Sequence, residues 1–193
     1  ERKEASAASD VYKRKDYEYV VGNPPYVNIK HIPDPSQEYY RDVYDSAFGR
    51  FDLYVLFIER GLNLLSEDGK LGYITSNKFA RSKYGKEIRR LITSNYSLAK
   101  YVDFGDTEVF DDATNYPCIV FIDRDRSRTQ VPYAKLHKKI ENPLEAVEAH
   151  FGDDILTDSF EVSSFPISDL TEAFWAFTPK PLRSLVDKLR QDA

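Results

Sequence analysis

Val20-Val21-Gly22-Asn23-Pro24-Pro25-Tyr26 is the stretch whose reading decides the fold of this chain. A β-branched run, suited to a strand, ends in glycine and meets two prolines. Proline has no N–H to give to a sheet ladder, so the strand must stop at Gly22. Proline also fixes its own φ and restricts the residue before it, which makes the loop stiff. An amide side chain, a bare carbonyl and an aromatic ring are therefore held at the carboxyl end of a strand. In an open α/β sheet that edge is where ligands sit.

Working outward, Tyr17 to Gly22 is the first strand. The 25 residues between Tyr26 and Asp52 are rich in tyrosine and broken by Pro33 and Pro35, with a short helix expected over Ser36 to Tyr44. That length exceeds ordinary connections and predicts a functional or partly mobile loop. Asp52 to Leu65 reads as a helix. Leu53, Leu56, Phe57 and Leu64 share one face and Val55, Ile58, Leu62 and Leu65 a second, so burial of most of its circumference is expected. Glu67-Asp68-Gly69 stops it, and Leu71 to Thr75 follows as a buried strand. Strand, helix, strand in this order is a βαβ crossover and implies a parallel sheet.

A basic helix is expected from about Gly85 to Ser94, with Lys86, Arg89 and Arg90 exposed and Ile88, Leu91 and Ile92 inward. Leu98 to Phe104 and Tyr116 to Ile122 flank an acidic loop, Asp106 to Asp112. The pair predicts an antiparallel hairpin at the sheet edge. Beyond Asp123 the chain turns polar, with a strand over Val131 to Lys135 and helices near Pro143 to Phe151 and Pro179 to Arg190.

Hydrophobic residues make up 41% of the 193 residues, with 14 Tyr and 12 Phe, enough for a core. Net charge is −5, from 27 basic and 32 acidic residues. An autonomous DNA-binding domain carries a basic face, so a grip on DNA would draw much of its charge from outside this sequence. The single Cys118 excludes an internal disulfide or a cysteine metal cluster and reads as a small buried hydrophobe. His31, His137 and His150 have no ligand spacing, so no metal is expected. There is no long apolar run for a membrane span and no signal peptide, which makes a cytoplasmic protein the expectation.

Four pieces occur in an order that resembles the gamma-class DNA adenine-N6 methyltransferases of restriction–modification systems. They are Gly22-Asn23-Pro24-Pro25-Tyr26, Phe51-Asp52-Leu53-Tyr54-Val55-Leu56-Phe57, Gly69-Lys70-Leu71-Gly72-Tyr73-Ile74, and Glu108-Val109-Phe110 ahead of Cys118-Ile119-Val120-Phe121. They span Val20 to Ile122, roughly half the chain. The resemblance implies an α/β fold: the catalytic half of a Rossmann-like S-adenosylmethionine-dependent sheet, mostly parallel with a terminal antiparallel hairpin. It implies double-stranded DNA containing a target adenine as partner, and leaves open a fused endonuclease.

The loop chemistry agrees with that family. An exocyclic amino group on a base is a poor nucleophile, because its lone pair is delocalised into the ring. If the Asn23 side-chain oxygen and the Pro24 carbonyl both accept its N–H bonds, the nitrogen shifts toward tetrahedral geometry and no charged base is needed. A rigid proline loop aims such acceptors in advance. By the resemblance Asn23, Pro24, Pro25 and Tyr26 form the catalytic loop, and Tyr26 stacks on a base turned out of the duplex. Phe110 is the second ring against that base. Phe57, with Asn23 and Pro24, lies toward the methyl donor, S-adenosylmethionine.

The departures from the family pattern are as informative. The family places a glycine-rich donor turn and a ribose-binding acid well before the catalytic loop, whereas only 22 residues precede Asn23 here, with no Gly-x-Gly among them. The chain is therefore expected to be an internal piece, inactive alone. Residues 1–15 read as a frayed remnant, 16–135 as the catalytic half, and 136–193 as a linker or the start of a target-recognition region. The same loop also serves guanine amino groups of ribosomal RNA and a glutamine side chain of release factors. The aromatic segment after Tyr26, Thr75-Ser76-Asn77-Lys78-Phe79 and the Phe110 hairpin argue against those. Cytosine-N4 enzymes carry serine or aspartate in place of Asn23 and fit less well. A non-catalytic DNA-interaction or assembly module is the remaining alternative.

Overall fold

The computed structural model describes residues 17–105 and 116–177. Phe110, the acidic loop and the expected terminal helix lie outside the described residues, as does the expected N-terminal remnant.

Strand β1 (Tyr17–Gly22) ends at the glycine ahead of the two prolines. It pairs in parallel with β2 (Leu65–Ser76), with Val20 opposite Leu71 and Gly22 opposite Tyr73. Between them run helix α1 (Asp34–Val43) and helix α2 (Tyr54–Leu64), so the predicted βαβ crossover is present. Tyr17 pairs with Leu65 but Tyr19 with Lys70, so Ser66 to Gly69 bulge out of the ladder. The expected turn at Glu67-Asp68-Gly69 is this bulge, and the strand resumes beyond it.

After β2 come helix α3 (Lys78–Arg81), helix α4 (Lys86–Asn95), β3 (Ser97–Asp103) and β4 (Pro117–Asp123). The remaining described elements are β5 (Gln130–Leu136), helix α5 (Pro143–Glu148), β6 (Ile155–Leu156) and β7 (Phe160–Pro166). The sheet order is β1-β2-β4-β3-β5-β7-β6. Tracing the ladders, β1, β2, β3, β5 and β6 point one way, while β4 and β7 run against them. The predicted antiparallel pair is β3 with β4. It does not lie at the sheet edge: β4 is inserted between β2 and β3, and three further strands follow β3. The boundary expected at residue 135 coincides with no break in the sheet, because β5 pairs with β7 along its whole length.

Alternate residues along the strands face two cores. Leu71, Tyr73, Tyr101, Val120 and Tyr133 join Val55, Ile58 and Leu62 of α2 and Ile88 and Ile92 of α4 on one side. Val102, Ala134 and Val162 face the other, against Val147 of α5. A Cβ on Gly61 would come within 2.7 Å of the Tyr73 hydroxyl, so glycine is what lets α2 lie close on β2. Leu170 to Phe177 folds back over the first core: the Trp175 N–H donates to the Ala80 carbonyl at 2.9 Å, and its buried ring meets Phe79 edge-on.

Two expectations for the helices are corrected. Phe57 is 45% exposed, because α2 buries Tyr54, Val55, Leu56, Ile58, Gly61 and Leu62 and leaves this ring outside that arc. Arg89, expected on the exposed face of α4, is buried at 1% exposure. Its position one turn before Ile92 puts it inward, where Nε donates to the Glu172 carbonyl at 3.0 Å and a terminal nitrogen to the carbonyls of Phe79 and Ser82. The buried cation is tolerated because carbonyl oxygens replace its water. Among the described residues no helix is long and apolar enough to cross a membrane, and no group of three or more His, Cys, Asp or Glu is placed to hold a metal ion.

Candidate functional site

The carboxyl ends of β1, β2, β3 and β5 lie on one edge of the sheet, together with the start of β4. Asn23 to Tyr26 leave β1 there, alongside Thr75 and Ser76 at the end of β2. Pro24 is buried, Asn23 and Pro25 are exposed, and Tyr26 is half-buried. The loop is then pinned to the start of α2. The Leu53 N–H donates to the Val27 carbonyl at 2.8 Å, and the Ile29 N–H to the Phe51 carbonyl at 3.0 Å.

Asp52 is the hub of this junction. Its Oδ1 accepts from Asn28 Nδ2 at 2.7 Å and its Oδ2 from the Tyr84 hydroxyl at 3.1 Å. The Tyr84 and Tyr54 hydroxyls share a further bond at 2.8 Å. Burial drives the Tyr54 phenol well above its ordinary range, and the paired Tyr84 hydroxyl and nearby Asp52 charge push the same way. Burial also raises Tyr84. The network is thus held as neutral phenols around one carboxylate.

A cleft of about 560 Å³ opens beside this network, lined by Tyr26, Asn28, Asp52, Ser76, Lys78 and Tyr84 among others. Its volume is in the range of small-ligand sites. The Tyr26 ring meets Tyr54 edge-on, with centroids 6.1 Å apart and planes at 89°. The Tyr26 hydroxyl is buried and has no hydrogen-bond partner among the described residues. Burial, with Cys118 adding to it, pushes this phenol up to about 12. The hydroxyl end of the ring is thus buried without a polar tether, and the ring is a wall of the cleft.

A second cleft of about 520 Å³ lies along the same edge and shares Lys78 and Tyr84 with the first. Arg81, Asp103, Lys135 and His137 also line it.

Of the residues the sequence singled out, Tyr26 lines the first cleft. Asn23 and Pro24 stand three and two positions before it but are not among the residues lining that cleft, and Phe57 lies outside it on α2. Phe110 is outside the described residues. Asn28 and Tyr84 were not read as functional, and Asp52 was read only as a helix start. The available signal was the acidic residue inside the Phe51-Asp52-Leu53 block, which an exposed helix cap does not require.

The sheet, with clefts at the carboxyl ends of its strands and the antiparallel β4 inserted next to β2, is a mixed α/β architecture. The methyltransferase subunit of a type I restriction–modification system from Streptococcus thermophilus shares it, with a TM-score of 0.56 at 16% identity over 77% of this chain and 34% of that one. Residues 1–110 match the Eco57I restriction-modification methylase family, and the chain belongs to that family. Among curated relatives, the type II methyltransferase M.BstVI of Geobacillus stearothermophilus is 45% identical over 107 residues, which cover 55% of this chain and 19% of the relative. The type II methyltransferase M.PaeR7I of Pseudomonas aeruginosa is 41% identical over 110 residues, 56% of this chain and 19% of the relative. The chain thus spans about a fifth of the length of these relatives.

Proposed function

We propose that this chain carries the target-amino half of a DNA adenine-N6 methyltransferase active site. The observation that carries the reading is the placement of Asn23-Pro24-Pro25-Tyr26. The run leaves the carboxyl end of β1, and its last residue, Tyr26, is a wall of the first cleft. Membership of a restriction–modification methylase family supports DNA as the substrate.

In this reading the target adenine leaves the duplex, since an enzyme acting on a base takes it out of the stack. Tyr26 offers a flat ring for it, fixed by its buried hydroxyl end and by Tyr54. The Asn23 side-chain oxygen and the Pro24 carbonyl accept the two N–H bonds of the amino group. Those bonds strengthen as the nitrogen becomes tetrahedral, so the loop favours the transition state over the ground state. No residue needs to act as a charged base before methyl transfer. The Asp52 network holds the loop's exit at Asn28 and so keeps Tyr26 in register. Phe110 would close on the base as the second ring.

S-adenosylmethionine, when bound, supplies an electrophilic methyl group. The residues that would face it are Asn23, Pro24 and Phe57. The exposed ring of Phe57, free of the core, suits stacking on the donor's adenine.

The test is a methyl-transfer assay on a full-length methyltransferase carrying this sequence, with isotopically labelled donor and mixed-sequence DNA, followed by nucleoside mass spectrometry. Label in N6-methyladenine that disappears in Asn23→Ala is the expected result. Label in N4-methylcytosine, in RNA or in protein glutamine would overturn the reading.

A further inference from the structure

We propose that the second cleft is a subsite for a nucleic-acid backbone phosphate, placed beside the first cleft so that one nucleotide reaches both. This rests on the base-binding reading of the first cleft.

Three permanent cations, Lys78, Arg81 and Lys135, line the second cleft, and Asp103 is the only carboxylate among its described lining residues. That carboxylate is already engaged at both oxygens. Its side chain is 2% exposed, Oδ1 accepts from Asn77 Nδ2 at 3.1 Å and from the Gly105 N–H at 2.9 Å, and Oδ2 faces Arg81 at 3.5 Å. Asp103 thus orients Arg81 and leaves little acceptor capacity for a cation in the cleft. The Arg81 side chain remains 54% exposed, so most of its five N–H donors are unspent. Among the described residues, neither Lys78 nor Lys135 has an ion-pair partner. Composition does not account for this concentration of positive charge, since the chain as a whole is at −5.

The chemistry selects the ligand. A forked guanidinium and two point-charge ammonium groups around an open cavity suit a tetrahedral anion with several oxygens. Contacts of this type position a nucleic acid without reading its sequence. The connection to the first cleft is Lys78, which belongs to both, and Tyr84, whose hydroxyl is fixed by Asp52. A ring held against Tyr26 would therefore have its own phosphodiester within reach of the Lys78 side.

The experiment uses the full 193-residue chain, labelled with ¹⁵N, and follows its amide resonances during titration. The probes are the dinucleotide d(ApA), its uncharged methylphosphonate analogue, and inorganic phosphate. With d(ApA), shifts are expected at Gly105 and His137 in the second cleft and at Tyr26 and Asn28 in the first. The uncharged analogue should keep the Tyr26 and Asn28 shifts and lose those at Gly105 and His137. The double variant Lys78→Gln/Lys135→Gln should bind d(ApA) roughly tenfold more weakly and with a shallower salt dependence. Equal shifts at Gly105 and His137 from the charged and uncharged dinucleotides would overturn the proposal. So would unchanged affinity in the double variant, or a response at Gly105 and His137 to inorganic phosphate but not to d(ApA). If the second cleft responds as expected while Tyr26 and Asn28 stay silent, the phosphate subsite stands and the base-binding reading falls.

Discussion

The side-chain amide of Asn28 donates to Oδ1 of Asp52 at 2.7 Å, tying the exit of the Asn-Pro-Pro-Tyr loop to a residue two positions before α2. The other oxygen of the same carboxylate holds Tyr84, which walls both clefts. Asp52→Ala removes both acceptors at once. A hydrogen bond to a charged group is worth about 1.5–3 kcal/mol, and the site is only partly buried, so a stability loss of about 1–3 kcal/mol is expected from urea unfolding. Asp52→Asn should recover only part of it, since its own amide would confront that of Asn28. A loss below 0.5 kcal/mol, to be judged against the typical scatter of about that size for surface sites, would show that the network is not structural.

Tyr26→Phe removes a buried hydroxyl that has no partner among the described residues. Leaving a polar group unsatisfied costs about 1–3 kcal/mol, so this substitution should be neutral or stabilising. In a full-length methyltransferase carrying this sequence it should also keep most methyl transfer, because stacking needs the ring face. Tyr26→Ala should weaken base binding by about 1–3 kcal/mol, and by less when the target base is mispaired and cheaper to extrude. A 2-aminopurine at the target position would report extrusion. Loss of activity in Tyr26→Phe equal to that in Tyr26→Ala would assign the hydroxyl a chemical role.

Alkaline pH probes the same residue. An unfolded tyrosine ionises near pH 10, whereas burial pushes Tyr26 up to about 12. The folded state therefore retains a proton that the unfolded state has lost. Stability present below pH 10 falls as pH rises from 10 toward 12. Tyr54 and Tyr84 are raised too and contribute to the same fall. Urea midpoints measured from pH 8 to 11.5, a window of about the size set by these ionisations, should decline less steeply in Tyr26→Phe than in wild type. Parallel curves would place Tyr26 in solvent.

Arg89 ties α3 and the turn after it to the segment Leu170 to Phe177. It donates to the carbonyls of Phe79, Ser82 and Glu172, the last 83 residues away in sequence, and its guanidinium lies 5.3 Å from the Phe174 ring centroid. Arg89→Ala strands the buried Phe79 carbonyl and leaves a void, with an expected loss of about 3 kcal/mol or more. Arg89→Lys should rescue little, because an ammonium cannot reproduce the planar fork. Intrinsic Trp175 fluorescence, from the one tryptophan in the chain, would follow the loosening of the segment that Arg89 clasps. A stable Arg89→Ala with unchanged fluorescence would contradict this account.

Asn23→Ala, in a full-length methyltransferase carrying this sequence, should lower single-turnover methyl transfer by roughly 100-fold or more while changing DNA affinity much less. Asn23 is exposed, so its removal should leave the unfolding midpoint nearly unchanged. A proportional fall in DNA binding with an intact chemical step would make Asn23 a docking residue.

The sequence by itself determined the end of β1, the stiffness of the loop after it, the crossover to β2 and the antiparallel pairing of β3 with β4. Each is written in a few adjacent residues: prolines that cannot join a ladder, or apolar spacing with a helical or strand period. The same local grammar misjudged Arg89 and Phe57, because the hydrophobic character of a residue does not say which carbonyls or rings a distant segment will bring to it. The position of β4 inside the sheet, the junction of Asn28, Asp52 and Tyr84, and the seat of Trp175 were decided only by tertiary structure. Asp52 finds Asn28 across 24 residues and Tyr84 across 32, and Arg89 finds Glu172 across 83. Such partners meet because the order of strands in the sheet carries their elements to one edge. That order is fixed by burial of both sheet faces together, which no single stretch of the chain encodes.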